Sequence, residues 1–337
     1  MELSTADETV ESCCCKIKLK KFVINLNYEV DILARPVEHI LQAGPEDRNI
    51  FKQLFGACNV WVKCPQDELK IFNDIESGLY DMLIILDDIL DGTVLRKGLP
   101  SAHLVYGIPL TVHATEHKMF LIMKNILCCA KIREDIAIND FITLGIRFFT
   151  GQGLEIYYRD IQQCSRFYNF CNGETPVVEY ATAFVWGLLW LKLCAKNDKI
   201  ELSVDFCDKI GEFLQIYDDY INLHSPKYAT VRIFSDDLDE GKFNFPVIHA
   251  IHTHPNDHRI LNMLKKRPLD VESKKLFVEI MESFGSFEYT RKVLEELKNG
   301  ILVDVDNMNV GKNLYLERVL HDVLDNLETE IYYDGCD

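Results

Sequence analysis

Apolar residues recur at helical spacing through most of the chain. Leu69, Phe72, Ile75, Leu79, Met82, Leu83, Leu86 and Leu90 follow one another at intervals of one, three and four, which predicts a single amphipathic helix of about seven turns. A second helix is predicted through Phe206, Ile210, Phe213, Leu214, Tyr217 and Ile221. Strand signals are few, and no Pro/Gly/Ser-rich linker, repeat or low-complexity tract divides the chain. The expectation is an all-α fold in which long helices pack around a common interior. Residues 1–25 are polar and aperiodic and read as a loose leader, leaving 26–330 as one domain. The most apolar stretch, Thr182 to Cys194, is shorter than the ~20 residues a membrane span requires, so it reads as a core helix and no stable membrane insertion is expected.

Charge then narrows the partners. Among 337 residues, 53 carboxylates give a formal net charge of -17, which argues against nucleic acid as a standing partner. A phosphorylated substrate would need bound metal to approach such a surface. Twelve cysteines lie without zinc-ligand spacing and no secretory pattern opens the chain, so a cytoplasmic protein with reduced thiols is expected. The run Cys13-Cys14-Cys15 beside Lys16, Lys18, Lys20 and Lys21 is weighed as a reduced or buried cluster ahead of a lipidation site.

The first predicted helix ends in Asp87-Asp88-Ile89-Leu90-Asp91, where Asp87 and Asp91 are one turn apart on one face. Like charges at that spacing repel, by a few tenths of a kcal/mol when solvated, and a divalent cation reverses the sign. Mg²⁺ typically joins one or two carboxylates to substrate phosphates, so the pair suits a bridged diphosphate. Gln215, Asp218, Asp219 and Asn222 repeat the arrangement on the second helix. A solvated helical face would explain either cluster alone. Both, however, are embedded in strongly apolar helices. Arg96 and Lys97 follow the first cluster, and Arg232 and Lys242 the second, as donors for exposed diphosphate oxygens.

These segments resemble the trans-isoprenyl diphosphate synthases, most closely the geranylgeranyl diphosphate synthases of animals, over residues 30–325. The carriers are Leu86-Asp87-Asp88-Ile89-Leu90-Asp91 with Leu95-Arg96-Lys97-Gly98, then Gly151-Gln152-Gly153-Leu154-Glu155-Ile156-Tyr157, and then Gln215-Ile216-Tyr217-Asp218-Asp219-Tyr220-Ile221-Asn222. Asp239-Glu240-Gly241-Lys242-Phe243-Asn244-Phe245-Pro246 and Gly285-Ser286-Phe287-Glu288-Tyr289-Thr290-Arg291 add two more. The resemblance implies a helical bundle around a deep apolar cavity, a homodimer, and three Mg²⁺ ions, with Mn²⁺ as an acceptable substitute, clamping a prenyl diphosphate. It implies Asp87, Asp91 and Asp218 as catalytic metal ligands, with Asp88 and Asp219 completing the metal set. It also implies that Arg96, Lys97, Arg232, Lys242, Gln152, Gln215 and Thr182 hold or support the substrate diphosphate.

The chain departs from this family where a second diphosphate, that of isopentenyl diphosphate, should bind. The family's lysine after a glycine is Pro45 in Gly44-Pro45-Glu46-Asp47-Arg48, its histidine seven residues before the first aspartate is Tyr80, and its arginine pair is Arg96-Lys97. Arg48 alone of that vestigial site keeps its type. An enzyme that ionises an allylic diphosphate without a second substrate lets the cation lose a proton, cyclise or capture water. In this loss the chain resembles terpene synthases that some arthropods derived from the family. Met82 and Leu83, at the expected cavity floor, are bulky and imply geranyl or farnesyl diphosphate ahead of geranylgeranyl diphosphate. The competing readings are a working prenyltransferase of the geranylgeranyl type, and a non-catalytic partner subunit of another prenyl synthase.

Overall fold

The computed structural model describes residues 5–6, 21–22, 30–41, 49–96, 98–128, 134–161, 204–224, 236–267, 269–308 and 311–329. The described residues are almost wholly helical, as the periodicity requires. The first half holds α1 (Val30–Leu41), α2 (Asn49–Val62), α3 (Gln66–Asp91), α4 (Ala102–Tyr106), α5 (Ile108–Cys128) and α6 (Glu134–Ile161). The second holds α7 (Val204–His224), α8 (Asp236–Glu240), α9 (Phe245–Thr253), α10 (Arg259–Leu264), α11 (Val271–Ser283), α12 (Ser286–Asn307) and α13 (Leu314–Thr329). Two antiparallel ribbons of two-residue strands are the exceptions. Thr5–Ala6 (β1) pairs with Lys21–Phe22 (β2) inside the expected leader, and Leu95–Arg96 (β3) pairs with Leu99–Pro100 (β4) after α3.

The 26 residues of α3 match the seven turns predicted for it. Asp67 and Glu68 occupy its first turn, where the helix dipole favours negative charge. Gly92 ends it in the left-handed conformation, φ 71° and ψ 26°, and returns its N–H to the Asp88 carbonyl. The stop falls directly after Asp91, so the acidic motif occupies the end of the helix whose dipole disfavours it. The buried line of α3 runs through Ile75, Gly78, Met82 and Ile85. Leu90 lies off that line and is 43% exposed, although the apolar spacing had counted it with the others. At Gly78 the helix α5 comes so near that an added Cβ would lie 2.9 Å from Lys118 Cε.

The main core joins α7, α9, α11 and α12. Phe206, Ile210, Phe213 and Leu214 of α7 are buried as their spacing requires, against Val247, Phe277, Leu294 and Ile301. Each such side chain contributes about 1.5–3 kcal/mol by leaving water. The Gly285–Arg291 motif is part of this scaffold. Phe287 packs edge-on to Tyr220 at 5.7 Å, and Arg291 Nη1 donates to the Tyr220 hydroxyl at 2.9 Å. Among the described residues no helix is long and apolar enough to cross a membrane. The stretch Thr182–Cys194 and the run Cys13–Cys15 lie outside the described residues.

Gly92→Ala should destabilise the protein by about 1–2 kcal/mol, because an L side chain at this φ meets its own backbone while no neighbour lies within 4 Å. Thermal unfolding would measure it, and an unchanged midpoint would show that α3 can end in another conformation.

Candidate active site

Four helices bring carboxylates to one ammonium group. Asp87 and Asp91 come from the last turn of α3, Glu155 from α6, Asp219 from α7, and Asp237 and Glu240 from α8. Lys242 follows α8 and is electrostatically coupled to all six carboxylates. Its Nζ lies 2.6 Å from Asp91 Oδ2 and 2.8 Å from Glu240 Oε2.

Second contacts aim these groups. Gln152 Nε2 donates to Asp87 Oδ1 at 3.4 Å, and Gln215 Nε2 donates to Asp219 Oδ1 at 3.0 Å. The other Asp219 oxygen accepts the Phe245 N–H at 2.8 Å, an orphan amide at the start of α9. Asn244 caps that helix by accepting from the Val247 N–H at 3.3 Å, while its Nδ2 donates to Asp237 Oδ2 at 3.1 Å. Asn222, one turn beyond Asp218 on α7, donates to Asp236 and, at 3.0 Å, to Asp237 Oδ1. The end of α3 is tied across as well, Thr93 Oγ1 donating to Glu240 Oε1 at 3.4 Å.

The charges are badly matched. Burial pushes Asp219 up to about 6 against the hydrogen bonds from Gln215 and the Phe245 amide, and pushes Glu155 to about 7 and Glu240 to about 8 against the pull of Lys242, with neighbouring carboxylates adding to each rise. Asp87 and Asp237 are raised for the same reasons. Burial also opposes the charge of Asp91, but Lys242 and Arg159 outweigh it and hold this carboxyl below its usual range. Lys242 is held well above an ordinary lysine, because Glu240, Asp87, Asp91 and Glu155 together overcome its own desolvation.

This set of hard oxygen donors, in excess over its cations, fits a divalent ion such as Mg²⁺. Among the described residues no three acidic, histidine or cysteine groups already converge on a single ion position. The coordination sphere would therefore be completed by water and by phosphate oxygens, as Mg²⁺ prefers. Asp87, Asp91 and Asp219 are the acidic-motif aspartates that the structure brings into the electrostatic reach of Lys242.

Other expected site residues fall elsewhere. Asp88 is not on this face: it is buried on the back of α3, where it accepts from Arg96 Nε at 2.8 Å and pairs with Arg96 Nη2. The reason is helical geometry, since Asp88 is turned ~100° from Asp87. Arg96 is itself buried in that pair and reaches Asp87 only at 3.9 Å. Asp218 is partly exposed beside Asp219, whose ionisation it opposes. Tyr80 and Leu83 are partly buried on α3, and Met82 is fully buried. Lys97, Thr182, Arg232, Pro45 and Arg48 lie outside the described residues. Sequence reasoning gave no role to Glu155, Asp237, Glu240 or Arg159. Glu155 had a signal, being three residues after Gln152 on the same helical face, and Glu240 stood two before Lys242 in a motif already singled out.

The family model described as polyprenyl synthetase matches residues 30–281. A terpene synthase of Matsumurasca onukii is 35% identical over 295 residues, 87% of this chain and 93% of that protein. A geranylgeranyl pyrophosphate synthase of Dictyostelium discoideum is 33% identical over 302 residues, 88% of this chain and 96% of that protein. One of Mucor circinelloides f. lusitanicus is 30% identical over 296 residues, with 87% and 93% covered.

The raised carboxyls set a pH dependence. Groups whose folded pKa lies above the unfolded value of about 4 bind more protons in the folded state, so stability falls as pH rises through the folded values. Between pH 6.5 and 8.5, where Glu155 and Glu240 titrate, the metal-free protein in EDTA should lose thermal stability, and Mg²⁺ with inorganic diphosphate should return it. Asp91, held low, does not titrate in this window. A midpoint that stays level or climbs across it would contradict the buried clustering.

Proposed function

The chain belongs to the polyprenyl synthetase family, and from that premise we propose that it is a class I terpene synthase, ionising geranyl or farnesyl diphosphate to give a terpene and diphosphate. One observation carries the reading. The groups needed to ionise an allylic diphosphate stand together around Lys242, whereas the positions that should hold isopentenyl diphosphate carry Pro45 and Tyr80. The likeness to a terpene synthase over 87% of the chain supports it.

Bound Mg²⁺ would supply charge neutralisation at the diphosphate oxygens. The chain's own residues do the rest. Gln152 holds Asp87, and Gln215 with the Phe245 amide holds Asp219, so that both present oxygens in fixed directions. Lys242 offers an ammonium group on a flexible stem, able to turn from Asp91 to a departing diphosphate. In this reading Asp218, Lys97, Arg232 and Thr182 complete the set. In the same reading Met82, which is fully buried, and Leu83 would shorten the space for the prenyl tail and favour the ten- and fifteen-carbon substrates.

The second reading is a prenyltransferase that condenses isopentenyl diphosphate with an allylic diphosphate. It is favoured by the relatives named geranylgeranyl pyrophosphate synthase, which align over as much of the chain as the terpene synthase does.

Purified protein with Mg²⁺ should convert geranyl or farnesyl diphosphate to a hydrocarbon or terpene alcohol without isopentenyl diphosphate, read by gas chromatography. Asp87→Ala should lower this turnover by about 10³-fold, the loss of several kcal/mol of metal-borne stabilisation. Longer prenols that appear only with isopentenyl diphosphate would establish the second reading instead. The double substitution Tyr80→His with Pro45→Lys should introduce some elongation, detectable with labelled isopentenyl diphosphate. No incorporation would remove the account of why the second site fails.

A further inference from the structure

Both oxygens of the Asp91 carboxylate are occupied, by two cations of different kinds. Arg159 Nη1 takes Oδ1 and Lys242 Nζ takes Oδ2. Lys242 hangs on a four-carbon stem and has Glu240 as a second partner. Arg159 is fixed from three sides. Besides Asp91, it donates through Nη2 to the Leu90 carbonyl at 3.3 Å and through Nε to Asp160 Oδ1 at 3.2 Å, and it is only 7% exposed.

From Asp160 the contacts continue to the other side of the site. Arg267, in the segment between α10 and α11, reaches the same Asp160 oxygen with Nη2 at 3.3 Å, and its Nη1 donates to the Glu240 carbonyl at the end of α8. The chain turns there through Gly241, at φ 75°, to present Lys242. Any Cβ at Gly241 would lie 2.8 Å from both Arg267 Cδ and Nη1, so glycine serves the turn and the arginine's approach together. Lys242 returns to Asp91 and closes the ring. The segment behind Arg267 is anchored in turn, since Lys274 Nζ and the Leu269 N–H both bind Asp239 of α8, at 2.6 and 3.1 Å.

We infer that Arg159 and Arg267 are positioning residues acting through one chain of contacts, which sets the Asp91 carboxylate and the Glu240–Lys242 turn at a fixed separation. The chain runs from Arg159 to Asp160 to Arg267, joining α3, α6 and α8. Arg159 holds one oxygen of Asp91 in place, and Lys242 is the cation that yields the other when a metal-bound diphosphate enters. The inference rests on the metal-site reading above. It goes beyond that reading in assigning the geometry of the site to two arginines and one aspartate that stand outside the acidic motifs. Supporting groups of this kind typically alter metal affinity by about 10–100-fold.

The test is Mn²⁺ binding in the presence of inorganic diphosphate, followed by electron paramagnetic resonance, on wild type and on Arg159→Met, Arg267→Met, the double variant and Asp160→Asn. Each arginine variant should bind Mn²⁺ about 10-fold more weakly, and the double variant no more weakly than the worse single, because both cut the same chain. Asp160→Asn changes an exposed side chain and endangers folding least, and it should lose affinity several-fold. The same variants should need about 10-fold more Mn²⁺ for half-maximal turnover, whereas a smaller folded fraction would lower kcat alone and leave that Mn²⁺ concentration unmoved. Arg267→Lys, which can meet Asp160 but not the Glu240 carbonyl as well, should fall between wild type and Arg267→Met. Wild-type affinity in Arg267→Met and Asp160→Asn, or losses that multiply in the double variant, would overturn the inference and leave the metal site standing. If wild type binds Mn²⁺ no better than Asp87→Ala, the metal-site reading fails and the inference falls with it.

Discussion

The interaction on which the structure turns is the contact of Lys242 with the carboxylates around it. Two unit charges 4 Å apart at a protein-like effective dielectric of 20 interact by about 4 kcal/mol, and one ammonium cannot offset six such groups. The strain appears as raised carboxyls on Glu155, Asp219 and Glu240, which keep protons that free side chains would release near pH 4. Retained protons, with Arg159 beside Asp91, relieve part of that charge. On the proposed reading, diphosphate alone would add to the repulsion, and a divalent ion entering with it would balance the charge.

The scaffold brings this about by ending helices where the charges stand. Gly92 stops α3 after Asp91, Gly241 turns the chain after Glu240, and Asn244 begins α9 so that its first amides are free to meet Asp219. At α9 the free terminus gains a polar partner that belongs to the cluster, Asp219. Behind α3 a second balance holds. Asp88 and Arg96 neutralise each other out of water, and breaking one member of such a pair usually costs about 3–5 kcal/mol. The two adjacent aspartates therefore divide their work, Asp87 facing the acidic cluster around Lys242 and Asp88 anchoring the strand that follows the helix.

The helices were legible in the chain because burial on one side imposes a period, and α3 and α7 follow theirs closely. The paired Asp87 and Asp91 were legible for the same reason, as were Gln215 and Asp219, four residues apart on one helix. The period also carried a warning about Asp88, one residue and ~100° from Asp87, which grouping by motif overrode. Contacts such as Arg159 with Asp91 or Arg267 with Asp160 left no local trace. Their partners stand far apart in sequence and meet only because the bundle brings the ends of α3, α6 and α8 together, and no spacing rule encodes that. The lone charges of Glu155 and Asp237 looked like any solvated helical residue until burial gave them neighbours.

The separation of two diphosphate sites within one fold has a physical basis in α3. Tyr80 and Asp87 lie seven residues apart, on nearly the same side of the helix but about 10 Å along its axis, so their donors belong to different ligands. Replacing a histidine at the upper position by tyrosine leaves the Asp91–Lys242 contact, the Gly92 stop and the Asp88–Arg96 anchor untouched, because none of them passes through residue 80. The acidic cluster is held from the other end, by α6, α8 and the start of α9. On the proposed reading, a chain of this family would lose its second substrate by a few changes at Pro45 and the upper turns of α3 while the acidic face keeps its geometry. What changes is the fate of the allylic cation, which then reacts within itself or with water in place of a second prenyl unit.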